Sequence, residues 1–206
     1  MGLKIFISRD GTESSSEDMA NNMYETNGRI NILNRSHAKI MLSLHLNGSS
    51  YSKNNGGIEV YAPSNCNLDF ASKLAKNIVE IANINYSGLN SFKKADGVYV
   101  RNFTNTDILA YEAKAKKNGY QPYNLTTSTP YLYVIREVGA VNTNAFVDGR
   151  NKSYGTNQYY NSNYGIEAYK LYLGYMSIEN DLNNFVSNYE IYADSICNTI
   201  KDFYDV

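Results

Sequence analysis

Apolar and polar residues alternate along this chain with two different periods, and these periods predict its strands and helices. Five short runs rich in aliphatic and aromatic residues, each bounded by polar or turn-forming segments, favour β-strands. They are LKIFIS (3–8), KIMLSLHL (39–46), GIEVYAP (57–63), PYLYVIREVGA (130–140) and EAYKLYLGYMS (167–177). The second run is almost continuously apolar, which is typical of a strand buried on both faces in a parallel sheet.

Between these runs, apolar residues recur at the three- and four-residue spacing of helices. Helices are predicted over residues 18–37, 67–85 and 108–117, and over a C-terminal segment that starts at residue 178. The clearest is 67–85, whose apolar face consists of Leu68, Ala71, Leu74, Ala75, Ile78, Ile81 and Ala82. Strands that alternate with helices predict an α/β fold with a mainly parallel sheet flanked by helices, in three layers.

The length, net charge and apolar runs of the chain limit the domain organisation and the classes of partner that we expect. The 206 residues favour one domain, within which the polar stretch 148–165 is predicted to be a surface excursion. A net charge of -1 gives no electrostatic reason to expect nucleic acid as a partner. No run approaches the roughly 18 apolar residues of a membrane span. The apolar stretch near the N-terminus is too short for a signal peptide.

The polar residues that follow the second predicted strand are candidates for chemistry. In parallel sheets, ligands bind beyond the carboxyl ends of the strands, and His45 and Asn47 lie at such an end. His45 is either a metal ligand there or a polar residue that closes a strand. A metal site needs further ligands, since catalytic zinc takes three protein ligands and an open position.

Several segments of the chain resemble those of zinc-dependent N-acetylmuramoyl-L-alanine amidases. SLHLN (43–47) followed by GGIEVYAP (56–63) is similar to the family's Ser-x-His-x-Asn and Gly-x-Glu-x-Tyr region. GLKIFISRDG (2–11), GRINILNRSHAKIMLSLHLN (28–47) and LYLGYMSIENDLNNF (171–185) match further segments in order. REVGAVNTNAFVDGRN (136–151) suggests the clostridial-type branch. These enzymes cleave the amide between the muramic acid lactyl group and the peptide stem of peptidoglycan.

The resemblance implies a zinc cofactor and a site built around His45. In the family, two histidines and a glutamate hold Zn²⁺, and a further glutamate on the last strand transfers protons. His45 matches the second histidine. The first strand and first helix of the family, which carry the other two ligands, have no counterpart here, and we expect an N-terminally truncated domain. Tyr172 stands in the place of the proton-transferring glutamate, and a phenol with a pKa near 10 is a poor base at neutral pH.

Four other residues are candidates for the same site. Glu137 follows a predicted strand and is either a ligand, a base or half of an ion pair with Arg136. Glu59 is either a structural or substrate-side residue or a solvated carboxylate. Asn47 is either a hydrogen-bond donor to the surroundings of His45 or a residue that starts a loop. Arg150, in VDGRN, either pins a turn or contacts the substrate peptide.

The sequence is compatible with two different functions. The first is a peptidoglycan amidase of the cell wall, or an inactive descendant of one. The alternative is a non-catalytic module that binds muropeptides and has lost the metal. Because loss of an interior strand would leave unpaired strand edges, we also expect self-association.

Overall fold

The computed structural model describes residues 4–7, 32–33, 36, 38–48, 56–63, 68–119, 125–132, 135–136 and 166–206. The chain separates into two compact units. The first unit contains residues 1–3, 42–101 and 169–206, and the second contains residues 4–41 and 102–168. The single domain and the self-association proposed from the sequence remain predictions, and the surface excursion at 148–165 lies outside the described residues.

The described strands form one mixed sheet. They are β1 (Ile40–Asn47), β2 (Glu59–Tyr61), β3 (Lys93–Ala95), β4 (Val98–Tyr99) and β5 (Glu167–Tyr175), in the spatial order β1-β5-β2-β4-β3. Strand β2 runs parallel to β4 and antiparallel to β5, and β3 runs antiparallel to β4. The amides of Glu167 and Met176 donate to the carbonyls of Lys39 and Asn47, so β1 and β5 run in the same direction.

Three helices occur in the described part of the chain: α1 (Leu68–Ala82), α2 (Asn105–Asn118) and α3 (Glu179–Tyr204). In the first unit, α1 packs against α3. Phe70 of α1 is fully buried, and its ring lies 5.1 Å from that of Tyr169 on β5 and 5.2 Å from that of Phe203 on α3. The predicted α/β fold with helices that flank the sheet is therefore confirmed.

The predicted helix at 67–85 is confirmed, with one position placed wrongly. Leu74 and Ile78 of its apolar face are fully buried, whereas Ile81 is 52% exposed. In the second unit, α2 begins with a capping box. The Thr104 hydroxyl accepts from the amide of Asp107, whose carboxylate accepts from the amide of Thr104. These bonds satisfy donors that the first turn of a helix otherwise leaves unpaired.

The prediction that the strand at 39–46 is buried on both faces is wrong for its second half. Met41 is buried, but Leu44 is 53% exposed and His45 is also exposed. Among the described strands, β1 has β5 as its neighbour on one side and lies at the end of the strand order. A strand at an edge has fewer covering neighbours than an interior strand, so its apolar sequence does not guarantee burial.

Two other predicted strands are wrong where the structure describes them. Residues 4–7 of the first run have no regular structure, and Ile5 and Ile7 are more than 70% exposed. In the run 130–140, residues 135–136 lie in a helical turn, because the amide of Arg136 donates to the carbonyl of Leu132. The guanidinium of Arg136 also donates to the Tyr131 carbonyl at 2.9 Å. Residues 135–136 are therefore helical where the apolar pattern predicts an extended strand.

Within the described residues, no helix has the length and apolar character needed to cross a bilayer.

Candidate functional site

The site is built on one face of the sheet in the first unit. Side chains alternate between the two faces of a strand, so Tyr169 and Leu171 of β5 point to one face while Lys170 and Tyr172 point to the other. Tyr169 contacts Phe70 of α1, which identifies the first face as the one that α1 covers. The second face carries Tyr172, and of the other candidates His45 and Glu59 lie there.

His45 lies in the C-terminal half of β1, beside Tyr172 of β5. The centroids of the two rings are 5.9 Å apart, and the rings are tilted by 53°. The hydroxyl of Ser43, two residues earlier on the same face of β1, lies 2.7 Å from Nε2 of His45. The structure therefore brings together the histidine and the tyrosine that the sequence singles out.

Tyr172 is held by a row of aromatic rings that crosses the sheet. Its ring meets the ring of Tyr61 on β2 edge to face, at 5.8 Å and 87°. Tyr61 in turn stacks on Tyr99 of β4, at 5.2 Å and 28°. Tyr99 is fully buried and Tyr61 is 7% exposed, whereas Tyr172 is half-buried and His45 is exposed. The row runs from the interior to solvent, and its outer end is the pair of Tyr172 and His45.

Glu59 lies under this row and is fully buried, which excludes the solvated carboxylate considered from the sequence. It pairs with Tyr172 across the β2–β5 ladder. Its Oε1 accepts hydrogen bonds from the hydroxyl of Ser87, at 2.7 Å, and from the hydroxyl of Tyr175. A buried carboxylate without such donors would be costly, so these hydroxyls are what make its burial tolerable.

The phenols around Glu59 stay protonated at neutral pH. Burial, and then the charge of Glu59, raise the pKa of Tyr61 far above its usual range. Burial, and then the hydrogen bond to Glu59, likewise raise the pKa of Tyr175. Removing a proton from either phenol would place a second negative charge beside the carboxylate. Both side chains are therefore fixed as hydrogen-bond donors rather than bases.

Asp181 joins the start of β2 to the end of β5. Its Oδ2 accepts from the amide of Gly57 at 2.7 Å and from the amide of Tyr175 at 3.0 Å. Gly174 has φ +136°, and a Cβ there would lie 3.2 Å from that of Asp181, so glycine suits the turn. The sequence analysis did not single out Asp181. Its signal is the pair of glycine segments, GG at 56–57 and LG at 173–174, that the carboxylate bridges.

Asn47 closes β1 next to this junction. Its carbonyl accepts from the amide of Met176 at 2.7 Å, and its side chain lowers the pKa of Tyr175 against the larger effects of burial and Glu59 that raise it. The side chain therefore reaches the hydroxyl network around Glu59. Glu137 and Arg150, the other two candidates from the sequence, lie outside the described residues.

The described residues do not fit a catalytic zinc site. They contain no group of three or more His, Cys, Asp or Glu side chains placed to hold a metal ion. His45 is the one histidine among them, because His37 lies outside the described ranges. A single imidazole is too few ligands for catalytic zinc. The zinc site implied by the resemblance would need its remaining ligands from elsewhere.

A comparison with known protein families shows to which family the chain belongs. Residues 2–202 match the family described as N-acetylmuramoyl-L-alanine amidase. The chain belongs to this family. The match covers nearly the whole sequence, including the segment of His45 and the turn after Tyr172. None of the curated proteins matches the chain significantly.

Solved structures of amidases are similar to the chain at low sequence identity. AmiC2 of Nostoc punctiforme is 15% identical with a TM-score of 0.49, over 88% of this chain and 67% of that one. The catalytic domain of CwlV from Bacillus (Paenibacillus) polymyxa var. colistinus has the same identity, TM-score and coverage of this chain, over 66% of its own. CwlD of Clostridioides difficile, in complex with the GerS lipoprotein, is 13% identical with a TM-score of 0.48, over 96% and 69%. The chain thus spans about two thirds of the first structures that it matches.

Proposed function

We propose that this protein acts on peptidoglycan at the cell wall, as an N-acetylmuramoyl-L-alanine amidase that hydrolyses the amide between the lactyl group of muramic acid and the stem peptide. The observation that carries the proposal is the family match over residues 2–202. The arrangement of His45 and Tyr172 supports it, since an exposed imidazole beside a half-buried ring gives a muropeptide an accessible polar surface.

His45 and Tyr172 have different roles in this proposal. His45 contacts the polar groups around the scissile amide, and its orientation is set by the Ser43 hydroxyl at 2.7 Å. Tyr172 occupies the family position of the glutamate and offers its hydroxyl to the substrate as a hydrogen-bond donor. Glu59 and Asn47 support the site through the hydroxyl network of Tyr175. Glu137 stays a candidate for a ligand, a base or half of an ion pair, and Arg150 a candidate for a turn residue or a contact to the substrate peptide.

Hydrolysis of purified sacculi tests the proposal. The protein is incubated with sacculi in the presence of added zinc, and newly freed alanine amino groups are labelled and counted. We expect stem peptides with an N-terminal L-alanine to be released, and release to be abolished by His45→Ala. Lys201→Ala, at the far end of α3, is the matched control and retains the wild-type rate. The bound zinc of the wild type and of His45→Ala is measured in the same preparations.

A gain-of-function variant tests the role assigned to the Tyr172 position. Tyr172→Glu restores a carboxylate where the family has one, beside His45 and across the ladder from Glu59. If the missing base limits the rate, this variant releases stem peptides faster than the wild type. A slower rate, in a variant whose circular dichroism is unchanged, would contradict that assignment.

The second candidate is a muropeptide-binding module without catalysis. The absence of a carboxylate at position 172 favours it, together with the lack of a three-ligand metal group among the described residues. This candidate predicts that the protein sediments with sacculi and releases no peptide, even with zinc added. If the protein neither sediments with sacculi nor releases peptide, both candidates are refuted.

A further inference from the structure

Lys170 occupies an unexpected place in the sheet. It lies in the middle of β5, which has β1 on one side and β2 on the other, and its chain neighbours Tyr169 and Leu171 are fully buried. Lysine is depleted from such strands, because its charge has to reach water and its long side chain loses freedom. A lysine at this position is therefore a residue whose presence needs a reason beyond folding.

The ammonium group of Lys170 faces the ring of Tyr172. Its Nζ lies 4.8 Å from the ring centroid, within the range of a cation–π contact. The ion pairs found in the described part of the chain are Lys76–Glu80 and Lys93–Asp96, so Lys170 pairs with no described carboxylate. Glu59, the nearby carboxylate on β2, accepts from the hydroxyls of Ser87 and Tyr175 through Oε1, and the ion pairs of the described residues do not join it to Lys170. A ring face orients an ammonium ion without neutralising its charge.

The rings beside Lys170 are fixed in position. The edge of Tyr61 supports Tyr172 from the interior, and the stack of Tyr61 on buried Tyr99 supports Tyr61. The outer side of Tyr172 meets His45, whose side chain is exposed. Because these rings are held before any ligand arrives, little side-chain freedom is lost when a ligand binds them.

We propose that Lys170, Tyr172 and His45 bind the acidic stem peptide of a muropeptide. Lys170 pairs with the carboxylate of the acidic residue that follows the first alanine of the stem, and the Tyr172 and His45 rings pack against the adjoining backbone and lactyl group. This inference rests on the proposed function, and it adds a specificity that the function alone does not imply. The site discriminates free stem carboxylates from amidated ones, since an amide carries no charge for Lys170 to pair with.

A matched pair of small ligands tests the inference without catalysis. The full chain is titrated by calorimetry with N-acetylmuramoyl-L-alanyl-D-glutamate whose γ-carboxyl group is blocked as a methylamide, and separately with the same compound whose α-carboxylate is also an amide. We expect the wild type to bind the acid about two- to fivefold more tightly than the amide, the upper part of the range for one exposed ion pair. Raising the salt concentration should reduce this preference, because salt screens the pair.

Three variants separate the contributions of the charge and the ring. Lys170→Gln should bind both ligands equally, whereas Lys170→Arg keeps the charge and should keep the preference for the acid. Tyr172→Leu should weaken the binding of both ligands while the preference for the acid remains. Lys73→Gln, a half-buried lysine of α1, is the control and should behave as the wild type.

The outcomes distinguish this inference from the proposed function. If the wild type binds both ligands with equal affinity, or if Lys170→Gln retains the preference while Lys170→Arg loses it, the assignment of Lys170 is overturned and the muropeptide function stands. If the wild type binds neither ligand and also fails to bind sacculi, the proposed function and the inference are both refuted.

Discussion

Replacing Asp181 by alanine should destabilise the first unit more than any other change of one carboxylate on α3. The side chain is 7% exposed, and one of its oxygens accepts from the amides of Gly57 and Tyr175 at 2.7 and 3.0 Å. In the alanine variant both amides lose their charged acceptor inside the protein. The start of β2 and the end of β5 are then no longer joined.

The expected loss in the free energy of unfolding follows from these two hydrogen bonds. A hydrogen bond to a charged acceptor contributes about 1.5–3 kcal/mol, so two would contribute roughly 3–6 kcal/mol. Because both bonds share one oxygen and alanine leaves room for a water molecule, we expect a loss near the lower end, about 3 kcal/mol. In a chain of this length that loss lowers the Tm by roughly 6–12 °C. Asp181→Asn keeps an oxygen acceptor without the charge, and should lose about half as much.

Urea unfolding followed by circular dichroism measures these losses. Asp194→Ala, an exposed carboxylate on the same helix, is the control and should stay within about 0.5 kcal/mol of the wild type. If Asp181→Ala also stays within that limit, the two amides are satisfied in another way. The inference that Asp181 joins the two strands would then be wrong.

Three further predictions concern other parts of the chain. Phe70→Ala should cost about 3–5 kcal/mol in the same urea assay, since its ring is fully buried among aromatic neighbours; a loss under 1 kcal/mol would contradict this. Thr104→Ala should cost about 1 kcal/mol and speed amide exchange in the first turn of α2, while exchange in α1 stays unchanged. Burial, and then the charge of Asp181, raise the pKa of Tyr192 to about 12. The protonated phenol therefore stabilises the folded protein fully below the unfolded pKa of about 10, and this contribution is lost as the pH rises to 12. Tyr192→Phe should flatten this alkaline loss and the exposed Tyr189→Phe should not, and equal curves would refute the assignment.

The helices were predictable because their signals are local. The apolar face of α1 repeats every three to four residues, and the pattern survives whatever the helix packs against. Thr104 and Asp107 mark the start of α2 by the same logic, since a capping box is formed within one turn. The wrong positions are those where a neighbour decides exposure, as at Ile81, whose outward direction the pattern does not reveal.

The candidate site was predictable only in part. The resemblance singled out His45 and Tyr172, and the sheet places their rings 5.9 Å apart. The burial of Glu59 was not predictable, because its donors Ser87 and Tyr175 lie 28 and 116 residues away in the sequence. Asp181 was overlooked for the same reason, since it lies 124 residues from Gly57.

The sequence by itself determined that α1, α2 and α3 are helices, that β5 is a long strand, and which family the motifs resemble. These properties depend on residue spacings within a few turns or on motifs that are contiguous in the chain. The tertiary structure alone decided that β1 lies at the end of the order of the described strands, that Glu59 is buried, and that Tyr172 lies beside His45. Such contacts follow from which strands pair. Strand pairing depends on the burial of side chains from segments that are distant in the sequence, and a local pattern of residues does not record it.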